Sequence, residues 1–217
     1  MKLSSVYIRL ALGILLAFLA LPAIAFQMPQ PFSADFTTTM HNGEKMTGKW
    51  FFAPPKMRVD MTSMPGRNQG PMAGNMSMIV DGATETNYML MHGPQMYMEF
   101  HGERQNSMSP GLRNMLQLKG GSDPCGGDPD RTCKKIGTET VNGRSCDKWE
   151  VTDKKSGKSA MWVDQKIHFP VRIQEADGTT MDMTNIKEGP QDASLFKVPA
   201  GYRPFDPSAF GGQHRPH

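Results

Sequence analysis

The side chains in this sequence best placed to do chemistry are its methionines, 19 of 217 residues, many of them spaced one residue apart. Met76 and Met78, Met89 and Met91, Met96 and Met98, and Met181 and Met183 all follow this M-x-M pattern. In an extended chain alternate side chains share a face, so each pair puts two thioethers on one side of a strand. Thioether side chains are unbranched and polarisable. They fill irregular gaps in a core, form walls that repack around ligands of differing length, and ligate Cu(I). The copper reading gathers Met89, Met91, His92, Met96, Met98 and His101 around one turn. Strand geometry weighs against it, because same-face neighbours stand about 7 Å apart. Alternation also turns both histidines away from the methionines beside them.

Motifs of catalysis are missing. There is no H-E-x-x-H, no G-x-S-x-G, no phosphate-cradling glycine loop and no Cys/His/Asp set at recognisable spacing. The expectation is a protein without catalysis and without a cofactor. The cysteines, Cys125, Cys133 and Cys146, suit one disulfide and one thiol left over in an exported chain. Cys125 with Cys133, closing CGGDPDRTC, is the first expectation; Cys125 with Cys146 is the second. Without C-x-x-C spacing, either is a staple and not a redox pair. Lys56, Arg58, Lys134 and Arg172 are candidate contacts for a phosphate head group, although such residues more often simply face water.

Several elements must position these groups. Lys2 and Arg9 precede an apolar run from Leu10 to Leu21, and Ala23-Ile24-Ala25 supplies small residues, so residues 1–25 read as a signal peptide cleaved after Ala25. Loss of Lys2 and Arg9 leaves the chain near charge balance, which gives no electrostatic reason to expect nucleic acid. Residues 26–205 read as a single domain and 206–217 as a flexible tail. Asn142-Gly143 signals a type I′ hairpin, whose central residues need φ > 0. It sets Val141 opposite Arg144, Glu139 opposite Cys146, Ile136 opposite Trp149 and Lys135 opposite Glu150. Ile136, Trp149 and Val151 then share a packed face. Cys133 falls on the face of Cys146 but roughly 20 Å along the strand, too far to bridge.

Further turns read at Asn42-Gly43, Pro54-Pro55, Asp81-Gly82, His92-Gly93-Pro94 and 154–158. A three-residue Ala176-Asp177-Gly178 loop pairs Ile173 with Met181 and Val171 with Met183, and expects Gly178 in a left-handed conformation. Residues 63–75 read as loop. One short helix is expected near 109–118, capped by Ser109 with Pro110 in its first turn and Leu112, Met115, Leu116 and Leu118 at helical spacing. The C-terminal DASLFKVPAGYRPF reads as one turn of helix and an extended segment. The fold class is mainly β. About eleven strands joined by tight turns form a strongly curved antiparallel sheet, an incomplete or half barrel.

The strands FSADF and GKWFF, the KMR turn after them, the IVDG hairpin and the run WVDQ, FPVRI, DG, TNIKEG and LFKVPAGY occur in an order that resembles the LolA/LolB superfamily. Those bacterial envelope proteins sort outer-membrane lipoproteins. IGTETVNGRSCDKWEV and LFKVPAGY further resemble an uncharacterised domain family assigned to that superfamily. The resemblance implies an incomplete, curved barrel with helices across its opening and an apolar cavity for acyl chains. Here only one helix is expected, and no lipid-modification cysteine follows the cleavage site.

The combined expectation is a periplasmic, monomeric, carrier-like protein that binds a lipid or lipid-modified protein and transiently contacts envelope membrane proteins. Its cavity would be lined on the early strands by Trp50, Phe52, Met57, Val59, Met78 and Val80. Met89, Met91, Met96, Met98 and Phe100 follow, and then Trp149, Val171, Ile173, Met181 and Met183. The alternatives are the copper site above and an interaction module without a ligand.

Overall fold

Residues that accept positive φ decide where the strands stop. Asn142 (φ 49°) and Gly143 (φ 79°) close one hairpin, Gly178 (φ 89°) sits in the loop at 176–178, and Gly43 (φ 82°) turns the first hairpin. A computed structural model describes residues 30–63, 75–101 and 129–206. The expected signal peptide, the helix near 109–118, Cys125 and all of the tail but Asp206 lie outside those residues. The strands are β1 (Phe32–Thr39), β2 (Lys45–Ala53), β3 (Lys56–Ser63), β4 (Met76–Asp81), β5 (Thr86–Met91), β6 (Met96–His101) and β7 (Arg131–Val141). They continue as β8 (Arg144–Asp153), β9 (Gly157–Asp164), β10 (Pro170–Gln174), β11 (Thr180–Glu188) and the two-residue β12 (Arg203–Pro204). A 3₁₀ turn, Ala193–Phe196, precedes β12. No helix among the described residues is long and apolar enough to cross a membrane.

All the strands join one sheet in the order β12-β6-β5-β4-β3-β2-β1-β11-β10-β9-β8-β7, open at β12 and β7. Among the described strands only the β12–β6 pair is parallel. The sheet is strongly curled. Asn142 Nδ2 donates to the Met183 carbonyl at 2.8 Å and Arg144 pairs with Glu188, although β8 stands three places from β11, about 14 Å in a flat sheet. The curved, unclosed antiparallel sheet is the architecture expected from the sequence.

Two details of register differ from expectation. The β7–β8 ladder runs as foreseen from Val141–Arg144 to Gly137–Lys148, then slips at a bulge, so that Lys135 faces Trp149, Lys134 faces Glu150 and Cys133 faces Val151. Ile136 is the extra residue and is 50% exposed, not packed on Trp149. A two-residue turn fixes pairing only until a bulge intervenes, and beyond it every side chain changes face. Cys133 therefore lies on the face opposite Cys146. In the later hairpin Ile173 faces Met181 as expected, but that ladder spans only Arg172 to Gln174. Val171 falls in a bulge against β9 and does not continue the pairing to Met183.

Candidate functional site

Cross-strand partners share a face, so register alone assembles the candidate residues into rows. One row runs Met183, Phe36, Gly48, Met61, Met76, Met91, Met96 from β11 to β6. The next runs Ala34, Trp50, Val59, Met78, Met89, Met98, and a third Phe32, Phe52, Met57, Val80, Asn87, Phe100. On the far half Trp149, Met161, Ile173 and Met181 form a further row. The expected lining residues thus lie on one apolar face, with Val171 in its bulge and buried within the same core.

That face is filled at one end and partly open at the other. Asp164 accepts from the backbone N–H of Lys166 and Ile167 and is paired with Arg144. This tight turn drives Ile167 and Phe169 inward, where both are buried. The Phe169 ring meets Phe32 at 5.1 Å, Phe52 at 5.2 Å and Trp50 at 5.9 Å. Sequence reading missed this plug; its one local signal was the apolar pair flanking His168, which has φ 53°. At the other end Met76, Met91 and Met96 are buried, while Met61, Met89 and Met98 flank them half-buried. The polar atoms on this face are few. Among the described residues Trp50 Nε1, Trp149 Nε1 and Asn87 Oδ1 are buried without a hydrogen-bond partner.

The copper set is divided. Met89, Met91, Met96 and Met98 stay on the apolar face, but His92 points to the opposite side, where its ring bonds Ser77 (2.6 Å) and Tyr202 (2.5 Å). His101 is exposed beside Glu99. Among the described residues no group of three or more His, Cys, Asp or Glu could hold a metal ion.

His92 belongs to a network on the outer face. Ser77 donates its single proton to Asp60 (2.5 Å), which also accepts from Arg58 Nε (2.6 Å). Ser77 Oγ must then accept from His92 Nε2–H, leaving Nδ1 to accept from the Tyr202 hydroxyl. The serine is completely buried, and the imidazole donates to it instead of drawing off its proton, so the trio is a structural latch and not a nucleophile with its base. The latch and the bond from Arg58 to the Leu195 carbonyl (2.9 Å) hold the C-terminal segment over Ile79, Leu90, Tyr88 and Tyr97. The signal for this second core was β4, MSMIVD, an apolar run buried on both faces.

Three of the four cationic candidates have partners away from the apolar face. Arg58 is bound into the latch, Arg172 pairs with Asp182, and Lys56 pairs with Asp81 at 2.8 Å. Lys134 is exposed opposite Glu150. Cys146 is a free, buried thiol, which removes the Cys125–Cys146 pairing. Burial, with Asp164 nearby, pushes it up to about 11.

No curated protein matches the sequence. Among solved structures, an uncharacterized conserved protein from Thermus thermophilus is similar over 82% of this chain and 90% of its own, at 9% identity and a TM-score of 0.54. That likeness shows the fold. A LolA superfamily protein, NE2245 from Nitrosomonas europaea, is also among the similar structures, at 12% identity over 79% of this chain and 92% of that one, with a TM-score of 0.39. The MucA/MucB complex of Pseudomonas aeruginosa gives 14% identity over 76% of this chain and 55% of that one, with a TM-score of 0.45. A family model for a domain of unknown function, DUF4412, matches residues 33–168, more than half of the sequence, and the chain belongs to that family.

Proposed function

We propose that this is an exported, noncatalytic carrier-type protein that holds the acyl chains of a lipid or lipid-modified protein against the apolar face of its sheet. The observation that supports it is the continuity of that face: rows of methionine and aromatic side chains cross the strands, and at the β3–β6 end Met61, Met89 and Met98 are half-buried beside the buried Met76, Met91 and Met96. Burial of an acyl chain there would contribute about 0.8 kcal/mol per CH₂, and unbranched thioethers can repack around chains of differing length. The lining would be the residues expected from the sequence, with Met61 added and the Phe169 plug closing one end. Cleavage after Ala25 and a Cys125–Cys133 disulfide complete the reading.

Protein purified from its own envelope should carry bound lipid in native mass spectra, and lipid-stripped protein should take up a fluorescent fatty acid. Empty protein that takes up no probe would end the proposal. A soft-metal reading has one observation in its favour, the Met76, Met91 and Met96 cluster. A copper adduct lost on M91L/M96L, with no lipid present, would favour it instead.

A further inference from the structure

The apolar face carries buried hydrogen-bonding atoms that the protein leaves unused. Trp50 is 3% exposed and Asn87 is 2% exposed, yet Trp50 Nε1 and Asn87 Oδ1 have no partner, and neither does Trp149 Nε1. An indole places a large ring in an apolar wall, but its N–H ordinarily finds an acceptor when buried. A buried polar atom without a partner is disfavoured by more than a made hydrogen bond contributes. The neighbours make the omission specific. The Trp50 ring is held edge-on by Phe36 at 6.1 Å and tilted against Phe169 at 5.9 Å. Its row partners, Ala34 and Val59, offer no side-chain acceptor.

We propose that the ligand of this face is an amphiphile and not a bare hydrocarbon: a carbonyl or carboxylate oxygen at the head of its acyl chain accepts from the indole N–H of Trp50, while Trp149 Nε1, five strands away on the other half of the face, is a further neutral donor. This rests on the reading of the face as an acyl-chain site and names the polar group that goes with the chain. The donors are neutral, so they serve an ester as well as a free acid. Asn87, three strands from Trp50 and about 14 Å away across the sheet, is an acceptor on the same face and matches a hydroxyl carried along the chain.

The test compares a long-chain fatty acid methyl ester with an alkane of equal heavy-atom count, each displacing an environment-sensitive dye from the full-length protein. The wild type should bind the ester about tenfold more tightly than the alkane, the worth of one to two hydrogen bonds. W50F/W149F keeps an aromatic ring at each position and removes both donors; the ratio of ester to alkane affinity should fall to about one, whatever the smaller rings cost both probes in common, with thermal unfolding confirming that it is folded. A double variant that keeps the preference, or a wild type that binds ester and alkane equally, overturns the head-group assignment and leaves the acyl-chain site standing. A wild type that binds neither probe overturns both.

Discussion

A β-carbon on Gly48 would overlap the Asp60 carbonyl oxygen and stand 2.6 Å from Cε1 of Phe36. Gly48 therefore lets β3 and the Phe36 ring close on the middle of the longest row, and Gly48→Ala should destabilise by about 3 kcal/mol, the upper end of what overpacking costs. A urea midpoint unchanged from the parent would show instead that the strand can slide clear. His92 carries a different prediction. Burial, with repulsion from Arg58, holds its imidazole below the ordinary histidine range, and Asp60 only partly opposes this. The unfolded chain then takes up a proton that the folded chain resists. The contribution is complete above the unfolded value of about 6.5 and is lost as the pH falls below it. Between about pH 7.5 and 5.5 the parent should lose more stability in urea titrations than His92→Gln; equal losses would assign the acid sensitivity to other groups. Neither residue's role was legible in the sequence, because each depends on atoms from segments distant in the chain: Phe36 and Asp60 for Gly48, Ser77 and Tyr202 for His92.

Hairpins are the elements the sequence specifies best, and the β7–β8 hairpin shows how far that reaches. Its turn was readable because positive φ at Asn142-Gly143 is a local demand. The slip at Ile136 was not, since a bulge answers to what the strand packs against. The tip then does something no local rule requires: Asn142 reaches across to the Met183 carbonyl and fastens the curled end of the sheet. Asn142→Gly keeps the turn and loses only that bond, an expected loss of about 1 kcal/mol. Asn142→Ala must also hold alanine at positive φ, about 1 kcal/mol more. Thermal denaturation ranking the alanine variant above the glycine variant would refute this division of labour. The C-terminal segment was foreseen as a helical turn and an extended run, and it is one. Its place against Ile79 and Leu90 was hidden, because burial of both faces of β4 and β5 follows from where the chain's end returns.

For the whole molecule, the prediction follows from the methionine rows. Leucine has nearly the volume of methionine but is branched and stiffer, so Met89→Leu/Met98→Leu should change stability by less than about 1.5 kcal/mol. It should narrow the range of fatty-acid chain lengths bound, as read by dye displacement across a homologous series. An unaltered range would remove deformability as the reason for so many thioethers. The amino-acid sequence by itself determined where the chain turns and, along a strand free of a bulge, which side chains share a face, because both depend on near neighbours: φ at one residue and a period of two along a strand. It thereby put each M-x-M pair on one side of its strand, while the rows across the strands came from the register of the folded sheet. Tertiary structure alone decided how tightly the sheet curls, that Phe169 fills one end of it, that the C-terminal segment covers its back, and that three buried polar atoms on its apolar face are left without partners. Those outcomes depend on contacts between segments far apart in sequence, which no local pattern encodes.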